Sequence, residues 1–123
     1  MADQVIQMKN GSDNAFPKQT MSIGTLSIAS GWSGGNSWLI KSGNIVECYV
    51  EITGGTLSSG WNTVATLPSG FRPYSYFDSI QDDNGRDSFC TVKVTSGDGY
   101  IQVYKTSTTS NNLRLHFSFI AYR

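Results

Sequence analysis

Metal-binding and redox motifs are missing from this chain. With two cysteines, Cys48 and Cys90, and one histidine, His116, it has no CxxC pair, no His/Cys cluster and no HExxH. No metal and no cofactor is expected. Long apolar runs are missing as well: none approaches the ~20 residues that span a bilayer, and the N-terminus lacks the charged start and apolar stretch of a signal peptide. Neither membrane insertion nor a cleaved leader is expected. An excess of one charge is also absent, since nine Lys and Arg balance nine Asp and Glu. Without a basic stripe to meet phosphates, nucleic acid is not an expected partner.

What is abundant is Gly, Ser and Thr, which break the sequence about every eight to twelve residues, the rhythm of short strands in a sandwich or barrel. A chain of 123 residues is one domain's worth and buries roughly two-thirds of its unfolded surface. It therefore needs no disulfide, and Cys48 and Cys90 read as reduced core thiols, a disulfide being the alternative. That fits assembly in a bacterial cytoplasm. Residues 1–20 differ from the rest. Val5 and Ile6 are a short apolar patch, residues 10–14 are turn-forming and Pro17 closes the segment. This stretch is read as an extended docking leader, and 21–123 as the folded domain.

Within that domain the pattern predicts strands at 21–29, 36–41, 44–53, 61–67, 74–81, 86–95, 100–105 and 113–122. Ser42-Gly43 closes one hairpin and Asn84-Gly85 another, because both residues of an Asn-Gly pair tolerate positive φ. The expected fold is all-β, a jelly-roll-like antiparallel β-sandwich of about eight strands. Period-two alternation sorts the faces. Val46, Cys48, Val50 and Ile52, then Cys90, Val92 and Val94, then Ile101 and Val103, then Leu113, Leu115, Phe117 and Phe119 form the core series. The opposite series collects Tyr49, Tyr100, Tyr104, Arg114, His116 and Tyr122, amphipathic residues suited to an interface or a ligand surface; a solvated sheet face, where Tyr is simply a good strand former, is the plainer alternative.

Three segments resemble the C-terminal head domains of bacteriophage tail fibre and receptor-binding proteins, and the leader resembles the opening of phage tail proteins, in the matching order. Residues 60–73, GWNTVATLPSGFRP, are similar to a recurring GWNTIATLPxGYRP segment. Residues 97–104, GDGYIQVY, resemble the GxIxVY strand that follows it, and residues 115–122, LHFSFIAY, the closing aromatic strand. The leader at 6–18, IQMKNGSDNAFPK, resembles an IQLKDGSDNVFPK opening of phage tail proteins. The resemblance implies a non-enzymatic virion protein, a homotrimer of β-sandwich heads that binds a host cell-surface saccharide, with the leader contacting other tail proteins. It brings no fixed binding motif. The chain departs from the usual pattern in having no coiled coil or shaft repeat between leader and head. Physically, the 60–73 segment is a corner: Pro68 and Pro73 bias Leu67 and Arg72 to extended backbone, and Gly70 turns the chain between them.

Candidate ligand residues follow from chemistry. Sugars are held by flat aromatic faces and a few polar groups. Trp32, in a Gly- and Ser-rich loop, is expected to be exposed as a stacking platform, whereas Trp38 is expected in the core and Trp61 in the architecture of the corner. The candidate set is Trp32, Asp82, Asp83, Asn84, Arg86, Tyr100, Tyr104, Arg114 and His116. Asp78, Asp82, Asp83 and Asp87 gather about one turn. Paired carboxylates could serve glycoside hydrolysis, or hold calcium, but in a turn they usually cap and solvate it. The rival readings are a purely structural tail or baseplate protein and, behind it, a glycan-degrading enzyme.

Overall fold

The computed structural model describes residues 9–10, 13–14, 21–82, 89–106 and 109–121, and among these every regular element is a strand. In the leader, β1 (Lys9–Asn10) and β2 (Asp13–Asn14) pair antiparallel, overlapping the stretch 10–14 read as turn-forming. The other strands are β3 (Met21–Gly24), β4 (Ser27–Ile28), β5 (Trp38–Ser42), β6 (Ile45–Leu57), β7 (Gly60–Thr66), β8 (Phe77–Asp82), β9 (Phe89–Val94), β10 (Tyr100–Lys105) and β11 (Thr109–Ile120). They make two sheets. The first has the order β11-β6-β5-β3 and the second β4-β7-β10-β9-β8, with every pairing antiparallel.

In the second sheet β8, β9 and β10 form a meander with β7 beside β10, a Greek-key order, whereas in the first β3, β5, β6 and β11 lie side by side in chain order. β11 returns to β6 in the first sheet. The all-β antiparallel sandwich expected from alternation is thus the fold; a jelly-roll order does not follow from these pairings.

The core lies between the sheets and is built from the residues that alternation assigned to it. Val46, Cys48, Val50, Ile52, Leu113 and Leu115 come from the first sheet, and Val92, Val94, Ile101 and Val103 from the second, all fully buried, with Cys90 and Phe117 nearly so. Each large side chain contributes about 1.5–3 kcal/mol on burial. Both cysteines are buried thiols. Burial holds the Cys48 thiol well above its usual 9.0, at about 12.

At two places the boundaries differ from the sequence reading for a local reason. The expected strand at 21–29 is divided, with β3 in the first sheet and β4 in the second, so this segment bends from one layer to the other at Thr25-Leu26. Strand β6 does not stop before Gly54. A register shift opposite Asn111–Leu113, with Gly54 at φ 85°, forms a bulge that bends β6 yet lets it pair with β11 as far as Leu57. The remaining turn is closed by Asn62, whose side chain accepts from Ser58 N at 2.9 Å and donates to Ser58 O at 2.8 Å. The Asn84-Gly85 turn lies outside the described residues, but β8 and β9 pair from Phe77↔Val94 to Asp82↔Phe89 as a hairpin would require.

The proline corner after β7 is held by Arg72. Its Nε donates to Leu67 O at 3.0 Å and its Nη1 to Gly97 O at 2.9 Å, while Leu67 N donates to Gly99 O at 2.8 Å. Two of the segments noted in the sequence, 60–73 and 97–104, are therefore joined directly.

Candidate functional site

A sandwich has two outer faces, and the outward aromatic residues divide between them. On the second sheet, Trp61 of β7 is paired in register with Tyr104 of β10, and Thr63 with Gln102. A register shift between Ile101 and Gln102 lets Val64 and Ala65 both face inward, while Trp61 and Thr63, two apart on β7, share the outer face. The Trp61 and Tyr104 rings meet edge to face, with centroids 5.2 Å apart, and each is 42% exposed. Lys93, one strand further on, sets its Nζ 4.3 Å from the Trp61 centroid, an attraction between ammonium and ring quadrupole. Gln102 Nε2 donates to Thr63 Oγ1 at 3.0 Å. Tyr100, two residues from Gln102 on β10, is exposed on the same face. The result is a surface of two rings set edge to face, with an ammonium over the Trp61 ring and an amide and hydroxyls beside it.

On the first sheet, Trp38, Tyr49 and His116 occupy one row across β5, β6 and β11. Trp38 stacks on Tyr49 with centroids 5.7 Å apart, and His116 meets both rings edge-on at 5.8 and 6.0 Å. Carboxylates flank the row. His116 Nε2 lies 2.7 Å from Glu47 Oε2, and the Tyr49 hydroxyl donates to Glu51 Oε1 at 2.8 Å. That hydrogen bond, followed by burial and the charge of Glu51, holds the Tyr49 phenol above its usual 10.0, with Arg114 opposing. Beyond the row this face turns aliphatic: Met21, Ile23, Ile45 and Ile120 are all more than half exposed.

No family model matches the chain, and neither does any curated protein.

The sequence-derived candidates do not form one site. Tyr100 and Tyr104 stand on the second sheet's face, whereas Arg114 and His116 stand on the first sheet's. Asp82 ends β8, and Asp83, Asn84 and Arg86 lie outside the described residues. Trp32, expected to be exposed, is partly buried and packed against the core. A β-carbon on Gly55 would fall within the Trp32 ring, so the indole is seated on the bare backbone that the bulge in β6 presents. Its loop is stitched down by paired main-chain bonds between Ser33 and Thr53. Trp32 is an anchor here, not a platform. The other two tryptophans also differ from expectation: Trp38 is 38% exposed instead of lying in the core, and Trp61, assigned to architecture, contributes its ring to the outer surface. Position 38 is even-numbered, two steps from Ile40 and one from buried Leu39, so strand alternation alone places it outward. The apolar character of Trp-Leu-Ile masks that signal. Among the described residues no three His, Cys, Asp or Glu side chains converge as a metal site.

Proposed function

We propose that the chain is a phage-type tail adhesin that binds a host bacterial surface saccharide non-covalently, on the outer face of the second sheet. The observation that carries this reading is the half-exposed Trp61–Tyr104 pair bordered by Lys93, Gln102 and Thr63. A pyranose offers one apolar face and a rim of hydroxyls, and it is bound where an aromatic surface meets a few fixed donors and acceptors. The likeness of residues 60–73, 97–104 and 115–122 to phage receptor-binding heads supports the same reading. Its location would then be the virion tail, with the leader reaching other tail proteins.

The resemblance further suggests a homotrimer. The exposed Met21, Ile23, Ile45 and Ile120 beside the Trp38–Tyr49–His116 row support the first sheet's outer face as the contact, since aliphatic surface with aromatic neighbours is typical of subunit interfaces. The same aliphatic face favours a second reading, a purely structural tail or baseplate protein that uses its surfaces only for assembly. A glycan array with whole-cell binding, run beside a mass measurement in solution, separates them. Alanine at Trp61 and Tyr104 should abolish cell binding with the assembly intact, whereas serine at Ile23 and Ile120 should dissociate the assembly. Loss of assembly with no glycan retained by any form would support the structural reading.

A further inference from the structure

At the end of β7 remote from Trp61 the chain leaves a cleft of about 500 Å³, lined among others by Ser69, Gly70, Arg72, Tyr74, Ser96 and Gly97. This lies in the size range of small-ligand sites. We propose that the cleft binds an oxyanion, a phosphate or carboxylate, with Arg72 as its principal donor. The site is independent of the saccharide face, because it lies elsewhere on the sandwich and shares no residue with it.

Three observations carry the assignment. First, Arg72 is fixed before any ligand arrives. It is braced against the backbone of Gly99, and two of its five N–H groups are committed to the carbonyls of Leu67 and Gly97. A guanidinium held this way loses little freedom on binding and keeps its other donors in a planar fork suited to an oxyanion. Second, its charge is partly buried and, among the described residues, no carboxylate pairs with it; carbonyl oxygens solvate the cation without neutralising it. Third, Lys41 brings a second cation to the same corner: its Nζ donates to Gly70 O at 2.7 Å and lies 5.8 Å from the Phe71 centroid. Two cations satisfied only by backbone carbonyls and a ring thus meet at this corner, where exposed Asp98 of the 96–99 loop is the carboxylate nearest in sequence. The hydroxyls of Ser69 and Ser96 supply further donors, and Tyr74, exposed at the rim, offers a ring to the body of the ligand.

The test is an NMR titration of the isotopically labelled full chain with inorganic phosphate, with acetate, and with sodium chloride at matched ionic strength. Saturable shifts confined to the amides of residues 69–74 and 96–97 are expected with an oxyanion and not with chloride. Phosphate against acetate shows which oxyanion the site prefers. Arg72→Lys, which keeps the charge and loses the fork, should weaken binding at least tenfold. Ser96→Ala leaves the bonds from Arg72 untouched and should weaken it several-fold, so the proposal stands or falls even if the arginine variant does not fold. Lys105→Ala, at the end of β10 remote from the cleft, should leave the oxyanion titration unchanged. Shifts that fail to saturate, that chloride reproduces, or that survive in both cleft variants would overturn the assignment.

Discussion

Arg72 lies across Gly99 so closely that a β-carbon at position 99 would fall 2.6 Å from Arg72 Nε. Gly99 also has φ +72°, a conformation that side chains rarely adopt. The glycine and the arginine thus define one joint: the bare backbone of one is the bed on which the other reaches Leu67 and Gly97. This gives the co-occurrence of the LPSGFRP and GDGY segments a mechanical reason.

Gly99→Ala should therefore destabilise the fold by at least about 1–3 kcal/mol, combining backbone strain with a collision. Arg72→Ala removes the collision but not the strain. In a double-mutant cycle the two changes should cost clearly less together than their sum. Urea unfolding of the four proteins measures this, and simple additivity would mean that the two residues do not share a joint.

The Trp32–Gly55 contact predicts a contrast among the tryptophans. Trp32→Ala removes a ring packed against the core and should cost about 3 kcal/mol or more. Gly55→Ala should cost about 1–3 kcal/mol by displacing that ring. Trp61→Ala, at a half-exposed position, should shift the unfolding midpoint much less than Trp32→Ala does. Thermal unfolding of the three variants checks the order.

Cys48 gives a prediction with a definite sign. Burial raises its pKa in the folded chain to about 12 from an ordinary 9.0, so the fold disfavours the thiolate. The protonated thiol costs nothing at lower pH; once pH passes the unfolded value, the unfolded chain ionises first and is favoured. Stability should fall between about pH 9 and 12, and the fall should be shallower in Cys48→Val when the two proteins are compared across that range. Near neutral pH the native thiol should resist alkylation and react only on unfolding.

How much of this was legible beforehand depends on the kind of signal. Alternation in Val46–Ile52, Cys90–Val94, Ile101–Val103 and Leu113–Phe117 identifies the buried side of four strands, because burial acts on every second residue and leaves a periodic trace. The outward residues carry no such trace of which sheet they belong to. Tyr104 and His116 read alike in sequence, yet they stand on opposite faces, since that depends on β11 returning to β6 while β10 stays beside β7. The seat of Trp32 on Gly55 depends on a bulge twenty-two residues downstream, one residue of slippage that periodicity reads as a strand end. Trp61 was hidden by the motif that contains it, for a residue can be part of a corner and still present its ring to solvent.

The central claim is that the Trp61–Tyr104 surface binds bacterial glycan. The most direct measurement is retention of the folded protein on a panel of intact bacterial cells and on their isolated surface glycans, with the Trp61→Ala, Tyr104→Ala double variant alongside. Wild-type protein should be retained on at least one surface, soluble glycan from that surface should compete it off, and the variant should fold normally and fail to bind. Wild-type protein that is retained nowhere, or a folded variant that binds as well as the parent, would contradict the account.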